Sequence, residues 1–167
     1  HSQGMSLSGK TAFVTGAASG FGAGSARKFA AEGAHVLAAD LNLAGAETIA
    51  QEIGGAAGPV DVADAASVEA LCAQAKALFG VPDILVNNAG TTHLPAPMED
   101  ISETDFDRVL NVNAKSVYLF AKALVPDMKA RGSGSILNVA STAGVSTRPR
   151  LNWYNASKGW MLTATKA

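Results

Sequence analysis

Residues 11–22 read Thr-Ala-Phe-Val-Thr-Gly-Ala-Ala-Ser-Gly-Phe-Gly, and this stretch decides the fold. Thr11 to Thr15 is a short β-rich run, a turn with three glycines follows, and residues from about Gly20 to Glu32 read as a helix ended by Gly33. Glycine permits a tight turn between strand and helix. It also lets the backbone approach a diphosphate, whose charge a helix N-terminus stabilises. The spacing is Gly16-x-x-x-Gly20-x-Gly22, not the commoner Gly-x-Gly-x-x-Gly of dinucleotide-binding turns. Small residues in such a turn also serve helix–sheet packing, so alone the turn supports either role.

Outward from this unit the alternation repeats. His35 to Ala39 is a second apolar run closed by Asp40, and a helix is predicted from about Leu43 to Ile53. A short strand then reaches Val60 or Asp61. Asp64 begins a helix whose apolar positions, Val68, Leu71, Cys72, Ala75, Leu78 and Phe79, fall at helical spacing and predict one buried stripe. Asp83 to Val86 is a strand leading into Asn87-Asn88-Ala89-Gly90. Ser102 with Asp105 resembles a helix-start box, and one long helix is expected from there to about Ala130. Ser135 to Val139 is a fifth strand, and a last helix begins near Asn152. Strands alternating with crossover helices imply an α/β fold with a parallel sheet covered on both faces. Right-handed crossovers make a doubly wound sheet the economical arrangement.

Composition agrees with such a fold. The chain has 167 residues, 48% hydrophobic and 16% charged, enough for one domain with a hydrophobic core. A net charge of −1 with scattered basic residues argues against a nucleic-acid or anionic-membrane partner. No apolar run reaches the roughly 18–20 residues that span a bilayer. The single cysteine, Cys72, excludes an internal disulfide, so a reducing cytoplasm is the expected compartment. His1 to Gly4 reads as a tag remnant and Met5 as the native start, giving a single domain over residues 5–167.

Several residues carry chemistry. Asp40 ends the second strand 24 residues after Gly16. A carboxylate there accepts hydrogen bonds from adenosine ribose hydroxyls and repels a 2′-phosphate, favouring NAD over NADP; the alternative is a helix cap. Asp61, followed by Val62, offers the same choice between the adenine amino group and a cap. Tyr154 and Lys158 stand at i and i+4, on one helical face. A phenol with a pKa of about 10 is a poor base at neutral pH, and lowering it by about three pH units corresponds to roughly 4 kcal/mol. A neighbouring ammonium works in that direction, although by itself the pair reads as an exposed helix pair. Ser141, 13 residues before Tyr154, suits the polarising of a carbonyl or the holding of an oxyanion, or else belongs to a Ser/Thr-rich turn. Asn113 falls inside the apolar stripe of Phe106, Val109, Leu110, Val117, Phe120 and Leu124. A buried amide there is either satisfied structurally or holds a water. No residue is assigned to a metal.

Taken together, Thr15 to Gly22, Asp61, Asn87 to Gly90, Asn113, Ser141 and the Tyr154/Lys158 pair resemble, in order and register, the short-chain dehydrogenase/reductase family. The resemblance extends over Met5 to Ala167. It implies a Rossmann-like fold and hydride transfer between a secondary alcohol or ketone and a nicotinamide. Tyr154 would be the acid/base and Ser141 would orient the substrate oxygen. Lys158 would lower the Tyr154 pKa and bind the nicotinamide ribose, and Asn113 would hold a water that relays the proton. Cofactor contacts are implied at Gly16, Ser19, Gly20, Phe21, Gly22, Asp40, Asp61, Val62, Asn88, Ala89, Gly90, Tyr154 and Lys158, with Asn87 to Gly90 stabilising the sheet first. Reduction of 3-oxoacyl thioesters is the next implied activity, a non-catalytic NAD-binding scaffold is the opposing class, and a homo-tetramer or dimer is expected.

Substrate-pocket candidates are Thr92, His93 and Leu94 after the fourth strand, with Val145 and Trp153 before the Tyr154 helix; Arg148 and Arg150 read as solvated loop residues. Family members continue beyond the position of Ala167 with further strands and a substrate lid. A C-terminal segment beyond Ala167, carrying substrate-defining residues that are lacking here, is therefore expected.

Overall fold

The computed structural model describes residues 6–88 and 98–139. Five parallel strands form one sheet in the order β3-β2-β1-β4-β5. They are β1 (Thr11–Thr15), β2 (His35–Asp40), β3 (Ala56–Pro59), β4 (Ile84–Asn87) and β5 (Ser135–Asn138). The helices are α1 (Gly20–Ala31), α2 (Leu43–Ile53), α3 (Ala65–Phe79), α4 (Glu103–Leu110) and α5 (Ser116–Arg131). The expected α/β doubly wound arrangement is observed. Its strand boundaries differ from the sequence reading by a residue or two.

Period-2 alternation sends neighbouring residues of each strand to opposite faces, and a parallel sheet buries both. Phe13, Leu37 and Leu85 join one core with Leu71 and Cys72 of α3 and Phe120 and Leu124 of α5. Ala12, Val14, Val36, Ala38 and Val86 join a second core with Ala23 and Ala26 of α1 and Ala46 and Ile49 of α2. Crossovers on both sides of β1 place α1 and α2 on one face and α3 and α5 on the other. The winding therefore reverses at β1, which pairs with both β2 and β4.

Two expectations from helical periodicity need correction. Leu78 lies at the α3 C-terminus and is 57% exposed, so the buried stripe of that helix ends at Ala75 with Phe79 only partly covered. The single helix from Ser102 is in fact α4, a π-helical turn over Asn111–Lys115, and α5. A π-turn inserts one extra residue into the helix, which rotates the faces before and after it by about 100° relative to each other. That rotation accounts for Leu110 being 42% exposed and for Leu119, which the straight-helix stripe omitted, being buried.

Among the described residues no helix is long and apolar enough to cross a membrane.

Candidate functional site

A cleft of about 670 Å³ opens at the C-terminal ends of β1, β2, β3 and β4. This is where doubly wound sheets bind ligands, at the reversal of winding. Gly16, Ser19, Gly20, Phe21, Asp40, Asp61, Val62 and Asn88 all line it. Eight of the residues proposed from the sequence as cofactor contacts thus share one surface. Leu41, Val60, Arg108 and Val112 complete the lining and were not foreseen. Arg108 and Val112 carried a usable signal, since they stand at i and i+4 at the approach to Asn113. Leu41 gave one only in retrospect, as a 77% exposed leucine beside the acidic end of a strand.

The turn explains its glycines. Gly16 has φ of 63° and Gly20 φ of 57°, left-handed values that disfavour a β-carbon. Gly22 is needed for space instead. A β-carbon there would overlap the Gly16 carbonyl and stand 2.7 Å from Asn88 Nδ2. Asn88 belongs to the same knot. Its N–H donates to Thr15 Oγ1 at 3.0 Å and its Nδ2 to the Gly16 carbonyl at 3.4 Å. Asn87 is fully buried, and its Nδ2 donates to Asn138 Oδ1 at 3.4 Å, joining β4 to β5 as a sheet-stabilising residue.

Helix α1 starts differently from its neighbours. Its N-cap, Ser19, has extended backbone and makes no side-chain cap bond, and its first turn holds no acidic residue. By contrast, Asn42 caps α2, accepting from Gly45 N–H at 3.0 Å. Asp64 caps α3, accepting from Ala66 N–H at 3.2 Å, and Ser102 caps α4, accepting from Asp105 N–H at 3.1 Å. The positive end of α1 faces the cleft with no side-chain cap among the described residues, which suits an anion such as a diphosphate.

Those caps also exclude a capping role for two acids. Asp40 is not the cap of α2, because Asn42 is; its Oδ2 accepts from Ala18 N–H at 3.0 Å and its Oδ1 from Asn42 N–H at 2.9 Å. Asp61 is not the cap of α3, because Asp64 is. Asp61 instead donates its own N–H to Ser67 Oγ at 2.9 Å, and its Oδ1 accepts from Ala63 N–H at 3.0 Å. A carboxylate has about four acceptor positions, so both groups retain capacity toward the cleft.

Asn113 is fully buried and lies in the π-turn, directly after the cleft-lining Val112. π-turns inside helices recur at functional positions, where they turn a backbone group or side chain out of the regular ladder. One helical step on, Ser116 is also fully buried, and its Oγ has no hydrogen-bond partner among the described residues. Ala89, Gly90, Ser141, Tyr154 and Lys158 lie outside the described residues. So do the pocket candidates Thr92, His93, Leu94, Val145 and Trp153, and the loop residues Arg148 and Arg150.

Comparison with known proteins follows the same lines. The family model described as short chain dehydrogenase matches residues 10–167. A 4-formylbenzenesulfonate dehydrogenase of Comamonas testosteroni is 46% identical, the match covering 97% of this chain and 66% of that protein. A D-threitol dehydrogenase of Mycolicibacterium smegmatis is 43% identical, over 96% of this chain and 63% of that protein. The crystal structure of a 3-ketoacyl-(acyl-carrier-protein) reductase from Brucella melitensis complexed with NADH superposes with a TM-score of 0.92 at 46% identity. That match covers 96% of this chain and 68% of the other. The chain thus spans somewhat under two thirds of the length of these two curated relatives. By its matched sequence and its fold, this chain belongs to the short chain dehydrogenase family.

Proposed function

We propose that this chain is the dinucleotide-binding and catalytic part of an NAD-dependent oxidoreductase acting on a secondary alcohol or ketone. The observation that carries the reading is the cleft at the reversal of winding, where the uncapped N-terminus of α1 and the carboxylate of Asp40 face one space. A diphosphate fits the α1 end, because the Gly16 and Gly20 conformations and the missing β-carbon at Gly22 keep side chains out of the turn. Asp40 supports NAD over NADP through its negative charge beside the adenosine ribose. Asp61 and Val62 would meet the adenine, and Ala89 and Gly90 are proposed as further cofactor contacts from the sequence. The NADH complex of the Brucella reductase supports a nicotinamide cofactor here.

When bound, the nicotinamide supplies the hydride-exchanging carbon. The chain's own residues do the rest. Tyr154 takes up or releases the hydroxyl proton at its Oη, and Lys158 favours the phenolate and holds the nicotinamide ribose. Ser141 orients the substrate oxygen, and Asn113 anchors a water for the outgoing proton. The protein is proposed to act in the cytoplasm as a homo-tetramer or dimer, with one domain over residues 5–167.

A second reading, reduction of a 3-oxoacyl thioester, is favoured by the identity to the ketoacyl reductase. A rate assay on the full chain with secondary alcohols and NAD, and with an acetoacetyl thioester and NADH, separates the two. Alcohol turnover is expected to dominate, and Tyr154→Phe to reduce it by about 100-fold or more, the usual scale of general acid–base catalysis. Unchanged turnover in Tyr154→Phe overturns the mechanism, and a preference for NADP overturns the role given to Asp40.

A further inference from the structure

The phosphate-binding turn is not held by its own residues. Two of its glycines adopt left-handed conformations and bring the largest backbone freedom of any residue type. Besides Asn88 Nδ2 on the Gly16 carbonyl, the anchors come from β2. Ala17 N–H donates to the Ala39 carbonyl at 3.1 Å, and Ala18 N–H donates to Asp40 Oδ2 at 3.0 Å. The other carboxylate oxygen takes Asn42 N–H at 2.9 Å, and Asn42 in turn caps α2 through Gly45. Helix α2 then closes on the turn. A β-carbon at Gly45 would stand 2.8 Å from Ala18 Cβ and 2.7 Å from Asn42 Nδ2, so Ala18 is clamped between Asp40 and Gly45.

We propose that Asp40 is a positioning residue for the phosphate-binding turn as well as the group that faces the ribose. The charge that selects the cofactor and the backbone that binds its diphosphate are then one mechanical unit. This rests on the dinucleotide reading of the cleft. The chemistry requires a carboxylate rather than an amide or a hydroxyl. Two oxygens hold two backbone N–H groups, and lone pairs remain for ribose hydroxyls. Asparagine offers one acceptor oxygen and retains one anchor, whereas alanine retains neither. A substitution at Asp40 made to admit a 2′-phosphate therefore also loosens the site of the diphosphate.

The test separates the two roles with a dinucleotide that lacks both adenosine-ribose hydroxyls. Dissociation constants for NAD and for this 2′,3′-dideoxy analogue are measured by calorimetry on the full chain, in wild type, Asp40→Asn and Asp40→Ala. Loss of a charge-assisted anchor is expected to weaken binding of the analogue in Asp40→Ala by about tenfold or more, with Asp40→Asn between. Hydrogen exchange at the Ala18 and Asn42 amides, followed without cofactor, is expected to accelerate by about tenfold at both in Asp40→Ala and at one of the two in Asp40→Asn, so the proposal does not depend on the alanine variant staying folded. If the variants bind the analogue as tightly as wild type does, or protect both amides as wild type does, Asp40 acts on the ribose alone and the proposal is overturned. A wild-type chain that binds neither dinucleotide instead overturns the reading of the cleft itself, and this inference with it.

Discussion

The two faces of the sheet are built from different materials, although the same strands supply both. Beneath α1 and α2, seven of the eleven buried apolar residues are alanine, and none is larger than isoleucine. Beneath α3 and α5 the buried cluster holds Phe13, Phe120, five leucines and Met128. Burying a large apolar side chain contributes about 1.5–3 kcal/mol, against about 0.8 kcal/mol for a single CH₂. The α3/α5 face therefore supplies most of the burial free energy. The α1/α2 face gives up that gain and lets helices approach the strands closely. The α1 N-terminus and the Asp40 anchor both belong to this close-packed side, so the turn and its anchor lie opposite the main burial, although Val60, Val62 and Val112 bring the other cluster to the cleft wall.

The division can be broken from either side. The largest effect is expected from Phe120→Ala, which empties a fully buried site on the area-rich face. It should cost about 3–5 kcal/mol in urea unfolding while leaving the NADH dissociation constant within about threefold of wild type. A comparable loss of affinity in the variant that remains folded would show that this face also shapes the cleft. Ala26→Leu tests the other face. Ala26 of α1 is fully buried, and overpacking it should cost only about 1–3 kcal/mol. Its effect on NADH affinity should nevertheless exceed that of Phe120→Ala, by about tenfold, because α1 can yield only by moving its N-terminus. Equal affinities in the two variants would remove the geometric role of the alanines.

Much of this organisation was legible in the sequence for a physical reason. Alternation of strand and helix, glycines at a strand end and an acid at the next strand end are local patterns, and local patterns survive folding. The π-turn at Asn111–Lys115 was not legible. Its residues, Asn-Val-Asn-Ala-Lys, continue a good helical pattern, and only tertiary packing widens the turn. Arg108 and Val112 carried only their i and i+4 spacing before Asn113, and their place in the cleft lining comes from tertiary packing. The roles of Asp40 and Asp61 stayed open because an acid before a helix reads equally as a cap. The positions of Asn42 and Asp64 removed the capping alternative in both cases.

The smallest predicted effect probes how dry the area-rich face is. Cys72 of α3 sits in that cluster, and burial pushes its thiol up from 9.0 to about 11, against a weaker downward pull from the Lys76 ammonium. The folded chain therefore keeps the thiol proton at pH values where the unfolded chain releases it. Above the unfolded pKa the unfolded state binds fewer protons than the folded one, so stability falls as pH rises between about 9 and about 11, and is unaffected below. Other groups titrate in the same range, which makes the comparison of wild type with Cys72→Ala the useful one. Between about pH 8 and about pH 10, wild type should lose about 1 kcal/mol more than the variant in urea melts. The constant cost of the smaller side chain cancels from that difference. Parallel pH dependences would mean that water reaches Cys72 in the folded state. The face that supplies the burial free energy would then be less completely desolvated than its leucines and phenylalanines require.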